Sequence, residues 1–235
     1  MKIKFISNCK DNNYKHLFID NNVILDNLMK NSLCLEIDKY EKLYFTISDL
    51  KYYFLITKGT IRISKIYNNG AKFTFIFLKE YDLFGKFGEI KKNNSSLIYE
   101  LEALENTYLL KISIIRIFNK IDQEKTKTLY KKLIFALNKR LIRNNMLMEI
   151  LTHRNIKNRL ISFLLYLALY FGSLSKLGII INLNLSHSTI AEILCSTRVT
   201  ITRYIKSLEK RQYIKYLKKN IIIINPILLT QYKNL

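Results

Sequence analysis

Residues 185–224 read LSHSTIAEILCSTRVTITRYIKSLEKRQYIKYLKKNIIII, the pattern of two short helices joined by a tight turn and then a basic two-stranded hairpin. That is the layout of a winged helix-turn-helix. The first helix opens at Ser186 or Ser188, whose hydroxyl can cap free backbone N–H groups, and it carries Ile190, Ala191 and Leu194 inward. Ala191 is small where a second helix has to cross closely. The second helix opens at the hydroxyl pair Ser196-Thr197 and turns Ile201, Tyr204, Ile205 and Leu208 towards the core.

The opposite face of that second helix is different. Arg198, Val199, Thr202, Arg203 and Lys206 fall on one side at helical spacing. Such a face suits the major groove of double-stranded DNA, where arginine can grip guanine O6 and N7 bidentately and valine can touch a thymine methyl. Ser196, Thr197 and Thr200 lie near the helix start, where hydroxyls and the positive end of the helix dipole favour phosphate oxygens. The plain alternative is a solvated amphipathic helix, and the order helix, turn, helix, wing argues against it.

STRVTITRYIKSLEKRQYI, followed by KKNIIIINP, closely resembles the C-terminal region of the CRP/FNR superfamily of transcription regulators. Within that superfamily the likeness is to the nitrogen-regulator branch of cyanobacteria and its plastid-encoded counterpart. The resemblance implies that Arg198, Val199 and Arg203 read bases in a palindrome of GTA-N8-TAC type, that the genes activated are nitrogen-related, and that RNA polymerase is a partner. The family usually has glycine in the turn between the helices, where this chain has Cys195. A non-glycine residue there carries a conformational cost if its backbone is left-handed.

At 235 residues the chain can hold one large or two modest domains, and 49% hydrophobic residues suffice for a real core. A formal charge of +21 points to a polyanion, most simply nucleic acid. The bland source of that charge is the codon usage of an AT-rich genome, since Lys, Asn, Ile and Tyr abound while Gly and Pro are scarce and Trp is absent. Placement therefore says more than the total: Lys206, Lys210, Arg211, Lys215, Lys218 and Lys219 cluster around the reading helix and wing. Cys9, Cys34 and Cys195 are few and scattered, which suggests a reducing compartment and argues against the iron-sulfur members of the superfamily.

No secretory or membrane segment is expected, because MKIKFISNCKDNN is polar too early and the apolar run from Leu160 to Phe171 is too short to span a bilayer. Asp11 and Asp20, with no arginine among the first twenty residues, argue against a transit peptide. The expectation is a chloroplast protein encoded in the plastid itself, with a bacterial cytoplasm as the alternative.

Upstream, residues 1–35 give a weak helical and loop reading. From there EKLYFTI, YYFLITKGTIRISKIY, AKFTFIFL and SSLIYELEALENTYLLKIS alternate at period two, bounded by Gly59, Asn68-Asn69-Gly70 and Asn93-Asn94. These predict a small antiparallel barrel or roll, with a tight turn at Asn68-Asn69-Gly70. The resemblance supplies the specific form, a cyclic-nucleotide-binding-like jelly roll. A long helix follows over residues 122–151, with Ile134, Leu137, Leu141, Asn144, Met148 and Leu151 at alternating steps of three and four. That seam predicts a homodimer, in which Asn144 fixes register, and two reading helices then sit about 34 Å apart, one DNA turn. The alternative is that the stripe packs on its own roll.

After a hinge over residues 152–155, NIKNRLISFLLYLALYF reads as a buried helix, followed by a loop over 172–178 and a strand over 179–185. The fold class is thus α+β: an effector-type β jelly-roll domain at 1–121, a long dimerisation helix at 122–152, and a winged helix-turn-helix domain at 153–235.

The resemblance also implies an effector held between roll and long helix. Arg140 lies where the nitrogen regulators use an arginine against 2-oxoglutarate, a dicarboxylate suited to a guanidinium fork, and Phe84, Gly85, Lys86 and Phe87 match the roll segment lining that pocket. The family's second arginine aligns with Leu97 and a long-helix glutamate with Asn145, a loss for which Lys86 or Lys92 would have to compensate. Arg140 reads equally well as a surface arginine beside the seam. Cyclic AMP fits poorly, with Lys86 at the ribose-binding glutamate and no Arg-Ser/Thr pair around Ser95-Ser96. His16, His153 and His187 sit in different elements, so neither haem nor a metal site is indicated, and a lone histidine is more often structural.

Three function classes remain to be weighed. The leading one is a sequence-specific dimeric regulator, and the second is a sequence-blind basic nucleic-acid-binding protein with a degenerate effector domain. An enzyme is not expected, because no Gly-rich phosphate loop, HExxH, nucleophile elbow or paired-carboxylate motif appears.

Overall fold

The alternating runs of Ile, Tyr, Phe and Thr become strands because β-branched and aromatic side chains at period two present one apolar face to a partner sheet. In order they are β1 (Lys4–Ile6), β2 (Leu33–Ile37), β3 (Lys42–Thr46), β4 (Tyr53–Lys58), β5 (Ile61–Ile66), β6 (Lys72–Leu78), β7 (Leu83–Gly85), β8 (Ile98–Ala103) and β9 (Thr107–Ile112). The computed structural model describes residues 4–6, 33–46, 52–85, 98–112, 123–217 and 220–234. Contacts divide the chain into two compact units, Met1–Leu141 and Ile142–Leu235.

In the first unit two antiparallel sheets, ordered β1-β2-β9-β4-β7 and β3-β8-β5-β6, close over one core. Leu35, Ile37, Ile56, Ile61, Ile63, Ile76, Leu78, Phe84, Leu101 and Leu109 fill it. This is the expected jelly roll. Two details differ from the sequence reading, which assigned helix and loop to residues 1–35: β1 is a strand, paired through Phe5↔Leu35, and β2 begins at Leu33. A three-residue strand is too short to display a period, which is why β1 was illegible. Residues 7–32 lie outside the described residues.

The turn at Asn68-Asn69-Gly70 forms as expected: Gly70 N–H donates to Tyr67 O at 2.9 Å, with Gly70 at φ +79°. Gly59 closes β4 onto β5 at φ +98°, where an added Cβ would lie 2.5 Å from Thr107 Oγ1, so no side chain fits. Inside the roll Arg62 pairs with Glu102, while Lys72 and Lys42 converge on Glu100. Burial raises the Glu100 carboxyl, but the hydrogen bond and charge of Lys72, then Lys42 and Tyr44, outweigh it, so its pKa lies below the ordinary value.

The long helix, α1 (Gln123–Thr152), begins in the first unit and ends in the second. Within the first unit Ile134, Leu137 and Leu141 are exposed, so the roll does not cover the seam. In the second unit Arg143, Leu147 and Ile150 are buried, while Met148 on the neighbouring face is 58% exposed.

α2 (Ile156–Phe171) starts at Asn155, whose Oδ1 accepts from Lys157 N–H at 2.8 Å, and it buries Leu160, Ile161, Phe163, Leu164 and Leu167. Where a loop and a longer strand were expected, β10 (Gly172–Ser175) and β11 (Gly178–Ile181) form a hairpin, paired Gly172↔Ile181. The apolar content of Leu174 and Leu177 lies on its open face, so no alternation marked β10. Then come α3 (His187–Ile193), α4 (Arg198–Lys210), β12 (Ile214–Leu217), β13 (Asn220–Ile223) and α5 (Pro226–Asn234). The four strands form one antiparallel sheet ordered β10-β11-β13-β12. α5, absent from the sequence reading, opens on the chain's one proline at its first position, with Asn225 Oδ1 accepting from Ile227 and Leu228 N–H. Among the described residues no helix is long and apolar enough to cross a membrane.

Candidate nucleic-acid interface

α3 and α4 are fixed to each other by their termini. Ser186 is the N-cap of α3, its Oγ accepting from Thr189 N–H at 3.0 Å. At the other end Ser196 N–H reaches back to Ala191 O at 2.9 Å and Cys195 N–H to Glu192 O at 3.3 Å. This pair of bonds is the Schellman closure, which needs a left-handed residue, and Cys195 supplies it at φ +49°. The turn thus has the left-handed backbone usual for glycine, without the glycine.

Thr197 caps α4, its Oγ1 accepting from Thr200 N–H at 3.2 Å and lying 2.9 Å from Thr200 Oγ1. Both hydroxyls, assigned to phosphate from sequence, are therefore engaged in starting the helix, at its positive end. Ile201, Ile205 and Leu208 are buried as expected. Tyr204 is only half-buried, and the Arg203 guanidinium lies 5.4 Å from its ring centre. Its large ring cannot follow Ile201 and Ile205 into the crossing with α3, where Ala191 marks close approach.

The other face presents Arg198, Val199, Arg203 and Lys206 to solvent, and Val199 is 79% exposed. Its methyl groups lie open between the cations of this face. Ser196 is half-buried beside the turn. Thr202 departs from the rest of the face: it is half-buried and its Oγ1 lies 3.0 Å from His187 Nδ1.

The wing carries Lys215, exposed on β12, and Lys210 and Arg211 are exposed at the end of α4. Arg211 also packs over the Tyr232 ring at 4.9 Å, so it braces α5 as well as adding charge. Lys218 and Lys219, the other expected members of the cluster around helix and wing, lie outside the described residues. Tyr216 donates its backbone N–H to Glu209 Oε1 at 3.2 Å, and its buried hydroxyl finds no hydrogen-bond partner among the described residues. Burial, with the nearby Glu209 charge, pushes its pKa up to about 12. The His187 ring stands edge-on to the Tyr216 ring at 5.5 Å. Burial lowers the His187 pKa, Glu209 opposes this, and Arg198 and Lys206 lower it further. Sequence reading set His187 aside as structural. Its spacing from Thr202, 15 residues across a turn, carries no local signal.

The residues considered for an effector fall in the first unit. Arg140 is half-buried and its Nη1 donates to Leu83 O at 3.0 Å, which puts the guanidinium beside β7. Phe84 is buried and stacks on Phe54 at 5.2 Å. Gly85, at φ +122°, would place a Cβ 2.3 Å from Tyr52 O, so its glycine is required by strand packing. Lys86, Phe87, Lys92 and Leu97 lie outside the described residues.

Comparison with known proteins agrees with this architecture. The Crp-like helix-turn-helix domain matches residues 158–232. The global nitrogen regulator of Synechococcus elongatus is 33% identical over 202 residues, covering 85% of this chain and 90% of that protein. An HTH-type transcriptional regulator, ycf28, of Porphyra purpurea is 34% identical over 181 residues, covering 76% of this chain and 73% of that one. In fold, a CRP-family transcriptional regulator from Thermus thermophilus superposes with a TM-score of 0.67 at 17% identity, over 85% of this chain and 96% of that one. With a jelly roll, a capped helix-turn-helix and relatives matched along most of its length, the chain belongs to the CRP/FNR family of DNA-binding transcription regulators, with the global nitrogen regulators of cyanobacteria among its relatives.

Proposed function

We propose that the chain is a dimeric, sequence-specific regulator that recognises GTA-N8-TAC-type palindromes and activates nitrogen-related genes in a plastid. The observation that carries the reading is the outer face of α4. A helix capped at both ends and buried along Ile201, Ile205 and Leu208 turns Arg198, Val199, Arg203 and Lys206 outward, a face suited to the major groove in which Arg198, Val199 and Arg203 are the base readers. The exposed seam residues Ile134, Leu137, Leu141 and Met148 support a two-fold dimer through α1, which turns weak half-site contacts into one specific complex. Activation makes RNA polymerase a partner. The plastid assignment rests on composition and on the likeness to ycf28.

The effector of this reading is 2-oxoglutarate. Arg140, whose Nη1 donates to Leu83 O next to Phe84, supports this reading as a cation beside the roll segment that would receive a dicarboxylate. Its action is a population shift: effector contacts across the long helices of the dimer favour the arrangement that spaces the two reading helices for the palindrome.

The deciding experiment is fluorescence anisotropy on the palindromic and a scrambled duplex across a salt titration, with and without 2-oxoglutarate. Preference for the palindrome by about tenfold or more, lost in Arg203→Ala, supports specific reading. Equal binding with a steep salt slope leaves sequence-blind electrostatic binding instead.

A further inference from the structure

His187 touches both the reading helix and the wing without belonging to the base-reading set. Its Nδ1 lies 3.0 Å from Thr202 Oγ1, and its ring packs edge-on against Tyr216 of β12. Tyr216 is itself anchored, its backbone N–H on Glu209 Oε1, so the imidazole stands in a fixed wall. Thr202 sits one step along α4 from Arg203 and one turn from Val199 and Arg198, on the half-buried edge of the reading face.

A threonine hydroxyl holds one proton and two lone pairs, so what it offers outward depends on what it does inward. Against a neutral imidazole with its proton on Nε2, Thr202 donates inward to Nδ1 and presents only lone pairs to the groove. There it can accept from adenine N6 or cytosine N4. Against an imidazolium both ring nitrogens donate, Thr202 must accept inward, and its proton turns outward towards guanine O6 or N7, thymine O4 or a phosphate. One proton on His187 reverses the hydrogen-bonding character of one position on the reading helix.

We infer that His187 is a specificity-determining residue of DNA recognition: through Nδ1 it sets whether the Thr202 hydroxyl accepts from or donates to the base edge, and this makes the palindrome preference pH-dependent. The inference rests on the base-reading role of α4. The groups facing the imidazole are Arg198, Lys206 and Glu209 of α4 and Tyr216 of β12. Burial, joined by the two cations and opposed by Glu209, favours the neutral imidazole, and the Nε2–H tautomer of that neutral ring is the state in which Thr202 is an acceptor towards the groove.

The test uses the full chain and anisotropy on the GTA-N8-TAC and scrambled duplexes between pH 7.5 and 5.5 at fixed salt, for wild type, His187→Gln, Thr202→Val and the double variant. Glutamine cannot titrate, and valine keeps the threonine shape without the hydroxyl. The wild-type ratio of palindrome to scrambled affinity is expected to fall about fivefold on acidification, on the scale of one reversed base contact. Each single variant flattens that dependence, and the double variant loses no more than the larger single loss, since both remove one interaction. Every other side chain is common to the four proteins, so its contribution cancels in the comparison. An unchanged pH dependence in His187→Gln, or additive losses in the double variant with palindrome preference intact, overturns the inference alone. Absence of palindrome preference at every pH overturns the base-reading role of α4 and the inference with it.

Discussion

Arg159 on α2 donates from Nη1 to the carbonyl of Leu194, the C-cap of α3, at 2.6 Å. The same guanidinium reaches the carbonyl of His153, just past the end of α1, through Nε at 3.2 Å and Nη2 at 2.9 Å. One side chain thus ties the segment between α1 and α2 to the turn between α3 and α4. Carbonyls at helix C-termini lack partners within the helix, and a cation there is favoured by the dipole as well as by the hydrogen bonds.

Arg159→Gln should therefore destabilise the second unit by about 2–3 kcal/mol, the scale for losing charge-assisted bonds to half-buried carbonyls. Hydrogen exchange at the amides of Cys195 and Ser196 is the sharper readout. Faster exchange there than in the β11–β13 ladder locates the loss at the turn, whereas uniform acceleration would mean a general loss of stability and no specific link.

Cys195 closes that turn at φ +49°, where a Cβ crowds the following carbonyl and glycine does not. Cys195→Gly is expected to stabilise the chain by about 0.5–1 kcal/mol, after allowing for the extra freedom glycine has when unfolded. Cys195→Val should do the opposite, since a β-branched residue tolerates this region least. Thermal unfolding of the three proteins gives the order Gly above Cys above Val, and a glycine variant melting below wild type would rule out strain at this turn.

How far this was legible in the sequence depended on the range of the interaction. Ser186, Thr197, Ile190, Ile201 and Ile205 reveal caps and buried faces because their partners lie within one or two turns. The strands β4, β5, β6, β8 and β9 announce themselves by alternation. What stayed hidden was carried by pairs remote along the chain: Arg159 with Leu194, His187 with Thr202, Arg140 with Leu83. Tyr204 misled for a related reason, since periodicity assigns a face but not the room available on it.

Glu100 makes the roll acid-sensitive. Its pKa is depressed in the folded chain, so the stability it contributes is complete above the unfolded value of about 4.5 and is lost as pH falls through the lower folded value. Glu100→Gln should weaken the first unit by about 2 kcal/mol at pH 7, because Lys72 keeps its charge and loses its partner. The substitution should also shrink the difference in stability between pH 7 and pH 3. Urea denaturation at the two pH values measures both, and an unchanged difference would remove Glu100 from the acid response.

Arg203 and Lys206 both point outward from α4, yet they are expected to fail differently. A bidentate base contact discriminates sequence, so Arg203→Ala should cost about 1–3 kcal/mol on the palindrome and little on a scrambled duplex. A phosphate contact does not discriminate, so Lys206→Ala should weaken both duplexes alike and lower the slope of log affinity against log salt by about one. Equal losses on both duplexes for Arg203→Ala would reassign that arginine to the backbone.

Leu141 and Met148 are 57% and 58% exposed in a single chain, seven residues apart, with Asn144 half-buried between them. Exposed apolar residues at heptad spacing gain their burial from a second helix, and a carboxylate placed opposite its own copy is both desolvated and repelled. Leu141→Glu is therefore expected to yield a folded monomer in sedimentation, with unchanged far-ultraviolet circular dichroism. Its palindrome affinity should fall towards that for a single half-site, while affinity for the scrambled duplex changes far less. Asn144→Leu acts in the opposite sense: it should tighten self-association while relaxing register, giving higher oligomers beside the dimer. A Leu141→Glu protein that remains dimeric would move the interface off this seam, and with it the spacing of the two reading helices.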